Sequence, residues 1–194
     1  MNKSIWMELP QKKHYPPLDG DIKTDVLIIG GGIAGLLCGY LLKSAGINCI
    51  IAEAKNIADG ITSRTTAKIT AQHGLIYDKL TKEFGCEKAS LYLKANLDAV
   101  KKYKRLCKDI DCDFEEKDAF VYSKNNRDVL EKEMSALEKI GYGATFEEEL
   151  PLPVSIAGGI RFPGQAQFHP LKFLYAVSDG LAIYENTAVR ELVG

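Results

Sequence analysis

The stretch from Thr24 to Glu53, TDVLIIGGGIAGLLCGYLLKSAGINCIIAE, constrains the fold more than any other part of this 194-residue chain. Val26 to Ile29 is a short apolar run that stops at three consecutive glycines, Gly30 to Gly32. Apolar residues then recur at Ile33, Leu36, Leu37, Tyr40 and Leu41, the i, i+3, i+4, i+7, i+8 stripe of a helix lying on a sheet. Gly46 is a natural helix stop. A second apolar run, Cys49 to Ala52, closes on an acid, Glu53. The order strand, glycine turn, helix, strand is that of a βαβ unit with its two strands parallel.

The glycines fit G-x-G-x-x-G with Gly30, Gly32 and Gly35 in the three fixed places. Each has its own task. Gly30 permits the sharp turn out of the strand, Gly32 leaves room for a pyrophosphate against the backbone, and Gly35 lets the helix lie close to the sheet. The turn delivers phosphates to a helix N-terminus, where unpaired N–H groups and the dipole favour an anion. Glu53 stands at the end of the second strand, near the spacing expected for an acid that accepts bonds from an adenosine ribose. The same charge repels a 2′-phosphate, which disfavours NADP. A glycine-rich cap in another α/β turn would carry the same letters. The strand, helix, second strand and terminal acid around it argue for a dinucleotide, and leave FAD and NAD both open.

A formal net charge of −1 gives no electrostatic case for nucleic acid or an anionic membrane. No apolar run approaches the roughly 20 residues that span a bilayer, and the N-terminal residues have no signal-peptide h-region. Cys38, Cys49, Cys86, Cys107 and Cys112 are scattered and show no C-x-x-C spacing. Cys38 and Cys49 are expected as small core filler. Reduced thiols, a cytoplasmic setting and no metal site are the expectation.

Residues 1–20 carry Trp6, Pro10, Pro16 and Pro17 and read as an extended arm, either anchored on a neighbouring surface by Trp6 and Tyr15 or a frayed tail. After the Ala54–Asp59 loop, Gly60 to Thr70 (GITSRTTAKIT) concentrates hydroxyl side chains with Arg64 and Lys68. These are donors suited to a second face of a pyrophosphate; a polar loop leading to a short helix capped by Thr62 or Ser63 is the plainer alternative.

From Asp25 to Thr70 the chain resembles the N-terminus of FAD-dependent oxidoreductases of the D-amino-acid oxidase and glycine oxidase type. The strings W-x-E-L-P, Y-P-P-L and TAKITAQH (Thr66 to His73) are similar to a bacterial subgroup with a C-terminal Rieske domain. The resemblance implies that Ile33 and Ala34 face the pyrophosphate, Glu53 and Ala54 the ribose, and Thr62 and Ser63 the phosphates, within a contact segment running through Arg64, Thr65 and Thr66. It further implies Ala67, Lys68 and Ile69 on the flavin side and Val189 near adenine. Arg64 stands where relatives with covalent FAD have histidine, which implies non-covalent FAD. Lys68 replaces a common glycine; it is either a flavin-tuning cation or a solvated lysine at a loop edge. Lys68 and His73 are the weak catalytic candidates, and both His73 and His169 read more simply as structural histidines.

Tyr77 to Phe84 and Cys86 to Asp109 have helical periodicity, with Leu93, Leu97, Val100, Tyr103 and Cys107 as the apolar stripe. Lys101, Lys102, Lys104, Arg105 and Lys108 form its solvated side. Asp118 to Ser123, Ala144 to Phe146 and Gly158 to Phe162 read as strands, and Arg127 to Ile140 as a helix with Leu130, Met134 and Leu137 inward. Pro170 opens a helix running to about Ser178. Leu181 to Tyr184 and Ala188 to Val193 are expected to return to the first sheet.

The expected fold is α/β: a Rossmann-like FAD-binding βαβ unit (21–75 and 165–194) with an inserted α+β cap (76–164), incomplete at the C-terminus. The resemblance implies an intact enzyme that oxidises an amine or amino acid C–N bond by hydride transfer to flavin. An NAD-dependent dehydrogenase is the alternative from the fingerprint. A non-catalytic fragment acting through a homo-oligomer is the third, since an early stop would leave a sheet edge unpaired.

Overall fold

The computed structural model describes residues 4–7, 12–151 and 153–193. In chain order its elements are β1 (Val26–Ile29), α1 (Ile33–Ser44), β2 (Cys49–Ala52), β3 (Lys68–Ile69), α2 (Tyr77–Cys107), β4 (Glu115–Ser123), α3 (Asp128–Lys139), β5 (Thr145–Glu147), β6 (Gly158–Gln167), α4 (Pro170–Val177) and β7 (Ala182–Tyr184). Single 3-10 turns occur at Ile5–Met7 and Ile61–Arg64. The chain divides into two units: residues 1–67, 110–112 and 169–194 in the first, residues 68–109 and 113–168 in the second. Residues 68–75 and 165–168, expected with the nucleotide-binding part, fall in the second unit because β3 pairs with β6.

The first unit holds a parallel sheet in the order β1-β2-β7. β1, α1 and β2 follow the sequence reading, and of the expected stripe Leu36 is buried and Ile33, Leu37 and Tyr40 are half-buried, but Gly39 rather than Leu41 completes the buried face. Leu36 and Gly39 are its buried residues, while Leu41 is 54% exposed and Cys38 also faces solvent. Gly39 is the reason: a Cβ there would lie 2.8 Å from Ile51 Cδ1, so the helix seats against β2 at a residue that hydrophobicity does not flag. Cys49 is half-buried, and none of the five cysteines forms a disulfide. Ala188 to Val193 forms no strand: no described strand lies beside it, and the chain leaves β7 through Asn186 at φ +50.

The arm is not uniformly extended, since Met7 N–H donates to Ser4 O at 3.0 Å and closes a turn. Both expected anchors hold: Trp6 Nε1 donates to Thr65 O (2.8 Å) and Tyr15 Oη to Ser178 Oγ (2.8 Å). Residues 8–10 of W-x-E-L-P lie outside the described residues.

The second unit is an antiparallel sheet centred on β6, which pairs with β4, β5 and β3. The expected strand at Gly158 to Phe162 continues through Pro163 and Gly164 to Gln167. Pro163 has no N–H to donate, and the register shifts there as a bulge opposite Asp118. Asp118 Oδ1 accepts from Gly164 N–H at 3.0 Å, holding the bulge. β4 likewise begins three residues before the expected Asp118. α2 breaks at Gly85 (φ +82), as the two expected helical runs require. Leu93, Leu130, Leu137, Ile160 and Phe162 form the buried core.

Candidate dinucleotide site

The site grows from the end of β1. Gly30, at φ +102, carries the turn, and its N–H continues the ladder to Ala52 O at 2.8 Å. Gly35 cannot be larger, because a Cβ there would stand 2.0 Å from Gly30 O. Gly31 is also enclosed: a Cβ would meet Ile57 Cγ2 at 2.7 Å.

Gly32 differs from both. Its φ is −79, ordinary for any residue, and a Cβ there would find its nearest neighbour, Thr62 Oγ1, at 3.7 Å. Nothing within the protein demands glycine at this position; the space in front of it is what glycine preserves. Gly32 is the N-cap of α1 and supplies no side-chain cap, and the first helical bond runs from Leu36 N–H to Gly32 O. The preceding amides therefore point out of the helix start, the geometry that receives a phosphate. Ile33 N–H has only a long 3.4 Å bond to Thr62 Oγ1. This cradle fits a pyrophosphate.

Glu53 organises the other side. Its Oε2 accepts from Gly31 N–H at 2.7 Å and its Oε1 from Lys55 N–H at 2.8 Å. Each carboxylate oxygen keeps a second lone pair for a ligand hydroxyl. Ala54 beside it is exposed.

The hydroxyl-rich segment is less uniform than its composition suggests. Thr62 faces the helix start, whereas Ser63 is 1% exposed and donates to Asp59 O and Gly60 O at 3.2 and 3.0 Å. Ser63 is thus committed inward, with its hydroxyl hydrogen occupied, and the 61–64 turn has no side-chain cap at Gly60. Arg64 and Thr66 are exposed, and Thr65 Oγ1 accepts from Ala67 N–H at 3.3 Å. Ala67 is buried at φ +57, a left-handed conformation that costs a non-glycine residue about 1 kcal/mol. Strain of this kind gathers at binding segments.

Lys68 and Ile69 belong to the second unit, where β3 exposes the lysine and buries the isoleucine. His73 is exposed and pairs through Nδ1 with Tyr92 Oη at 3.1 Å. Val189 is half-buried in irregular chain after β7. His169 caps α4, its Nδ1 accepting from Lys172 N–H at 3.3 Å.

Sequence reasoning missed Glu185. It is 1% exposed, and its carboxylate accepts from Ile57 N–H (2.7 Å) and Tyr15 N–H (3.0 Å). It ties the arm to the loop after Glu53. Burial, with Asp59 and Glu185 nearby, pushes the Tyr175 phenol up. The signal for Glu185 was slight: an acid just after a buried strand, where charge is unexpected.

A parallel sheet, a glycine turn at a helix start and an acid closing β2 are the features of a dinucleotide-binding fold. Residues 25–194 match the DAO family of FAD dependent oxidoreductases, and the chain belongs to that family. It is 36% identical over 199 residues to YhfW of Bacillus subtilis (strain 168), named as a Rieske 2Fe-2S iron-sulfur protein, covering 98% of this chain and 39% of that one. Gamma-glutamylputrescine oxidoreductase of Escherichia coli (strain K12) is 25% identical, with 92% and 45% covered. The fold matches glycine oxidase from Geobacillus kaustophilus at TM-score 0.61 and 22% identity, over 84% of this chain and 46% of that one. The chain thus spans less than half the length of each of these relatives.

Proposed function

We propose that this chain binds FAD non-covalently and forms the FAD-binding part of an oxidoreductase acting on the C–N bond of an amine or amino acid. The observation that carries the reading is the cradle in front of Gly32, kept open by a glycine that the protein's own packing does not require. The amides of Ile33 and Ala34 receive the pyrophosphate, Thr62 donates from the facing turn, and Glu53 accepts from ribose hydroxyls, with Ala54 beside it. Arg64, Thr65 and Thr66 continue this contact segment toward Ala67, Lys68 and Ile69 on the flavin side, and Val189 lies toward adenine. Ser63 supports the turn from within. When bound, the flavin supplies the two-electron acceptor for hydride removal, and the protein's contribution is binding, orientation and electrostatics.

The family match supports FAD over NAD, and the negative charge of Glu53 opposes a 2′-phosphate. Arg64 is not a side chain that attaches to flavin, which supports non-covalent binding. The names of the glycine and gamma-glutamylputrescine enzymes support the substrate class, and the likeness to YhfW supports membership of the Rieske-bearing subgroup. Five cysteines without a disulfide among them fit a reducing, cytoplasmic setting. Among the described residues no helix is long and apolar enough to cross a membrane.

The test is a titration of the purified chain with FAD, NAD and NADP, using flavin fluorescence for FAD and calorimetry for all three. Saturable FAD binding that is at least tenfold weaker in Glu53→Ala is expected. Equal binding of the three dinucleotides, or unchanged FAD affinity in the variant, would overturn the reading.

A further inference from the structure

The turn that brings Thr62 to the start of α1 is held at its start by the buried Ser63 hydroxyl, which donates to Asp59 O and Gly60 O, and is weak at its end. It is a four-residue 3-10 turn with no side-chain cap at its start. At its end, Thr65 N–H reaches Thr62 O at a long 3.4 Å. Turns of this kind have poor internal hydrogen-bond geometry and take their position from neighbours.

The neighbour at its end is Trp6, the only tryptophan of the sequence. The indole N–H donates to Thr65 O at 2.8 Å. The ring meets His169 edge to face, with centroids 5.2 Å apart and planes at 72°. His169 is the N-cap of α4, a helix whose Phe173 and Leu174 are fully buried. The indole therefore ties the last carbonyl of a weak turn to the cap of a firmly packed helix. The other end of the same loop is tied by the same arm: Tyr15 N–H and Ile57 N–H share the carboxylate of Glu185. The arm brackets residues 57–65 at both ends, and Thr62 lies between the two ties.

We propose that Trp6 is a positioning residue for the dinucleotide site, fixing the Ile61–Arg64 turn so that Thr62 faces the phosphate-binding amides. This inference rests on the FAD-binding reading above. It makes the N-terminal arm part of the site's scaffold, although among the described residues no arm hydrogen bond reaches the cradle.

The decisive variant is Trp6→Phe, which keeps an aromatic ring and removes the N–H donor. Two readouts separate the inference from the reading beneath it. In the ligand-free chain, tryptic cleavage after the exposed Arg64 should accelerate severalfold, with the global unfolding midpoint nearly unchanged. In FAD titrations, affinity should fall about three- to tenfold, the size of one net hydrogen bond. Unchanged cleavage at Arg64 would overturn the placement of the turn by Trp6. Faster cleavage with unchanged FAD affinity would overturn its link to the site. A wild-type chain that binds no FAD would overturn the functional reading itself, which the cleavage result does not touch.

Discussion

Among the described residues each unit of this chain buries one glutamate almost completely, and the two are used differently. Glu133 in the second unit lies on α3 and accepts from Tyr77 N–H (2.9 Å) and Asp78 N–H (2.8 Å), the first amides of α2. It caps a long helix from outside that helix, supplying an anion where the dipole is positive. Glu185 in the first unit also accepts two amides, but from Ile57 and Tyr15, which lie in loop and arm. One carboxylate fastens an element to a core, the other fastens irregular segments to each other. In the loops around the cradle, polar ties act beside the buried Ile57 and Ala58 in setting their shape.

Replacing either acid should produce the largest effects. Glu133→Ala and Glu185→Ala each leave one buried and one part-buried amide without its carboxylate, at a cost of about 2–4 kcal/mol in urea unfolding. The comparison sharpens if ligand affinity separates them: Glu185→Ala should weaken FAD binding, and Glu133→Ala should not. Equal losses of affinity in both variants would break it.

The glycines give the next contrast. Gly35→Ala drives a Cβ into Gly30 O and should cost about 3 kcal/mol. Gly32→Ala meets no close neighbour and should cost under about 1 kcal/mol, yet weaken FAD binding at least tenfold. Parallel melts and titrations check both.

A smaller effect follows from charge. Burial raises the Glu133 carboxyl above its ordinary 4.5, against the opposing pull of the backbone amides. A raised native value means that the folded state holds its proton more tightly, so this group's contribution falls as pH rises from 4.5. Glu133→Gln should remove that part of the pH dependence, read from unfolding midpoints across the range. Smallest is Arg127→Ala: its fork to Glu148 (2.7 and 2.8 Å) is exposed and should shift Tm little.

The difference between the two units also explains what the sequence could reveal. β1, α1 and β2, and the break at Gly85, were legible because local periodicity and glycine specify them. Glu133 sits three residues after Leu130, an inward position by spacing that its charge disguises. β3 is two residues long and exists only through pairing with β6, a partner about a hundred residues away. β6 reads as ending at Phe162 because Pro163-Gly164 looks like a turn, and a bulge carries the strand through it. Ala188 to Val193 has strand-like residues but no described partner strand. At the site, Gly30, Gly32, Gly35 and Glu53 stand out by spacing, and Thr62 only through the family resemblance. The inward turn of Ser63 and the latch at Glu185 were not, because both depend on backbone partners that composition does not encode.

The most direct test of the cradle is the visible absorption spectrum of the purified chain after adding FAD and desalting, beside that of Gly32→Val. Flavin bands retained by the wild type and lost from a variant that still folds are the predicted result. A folded wild-type chain that retains no flavin, or a variant that retains as much, would contradict the account.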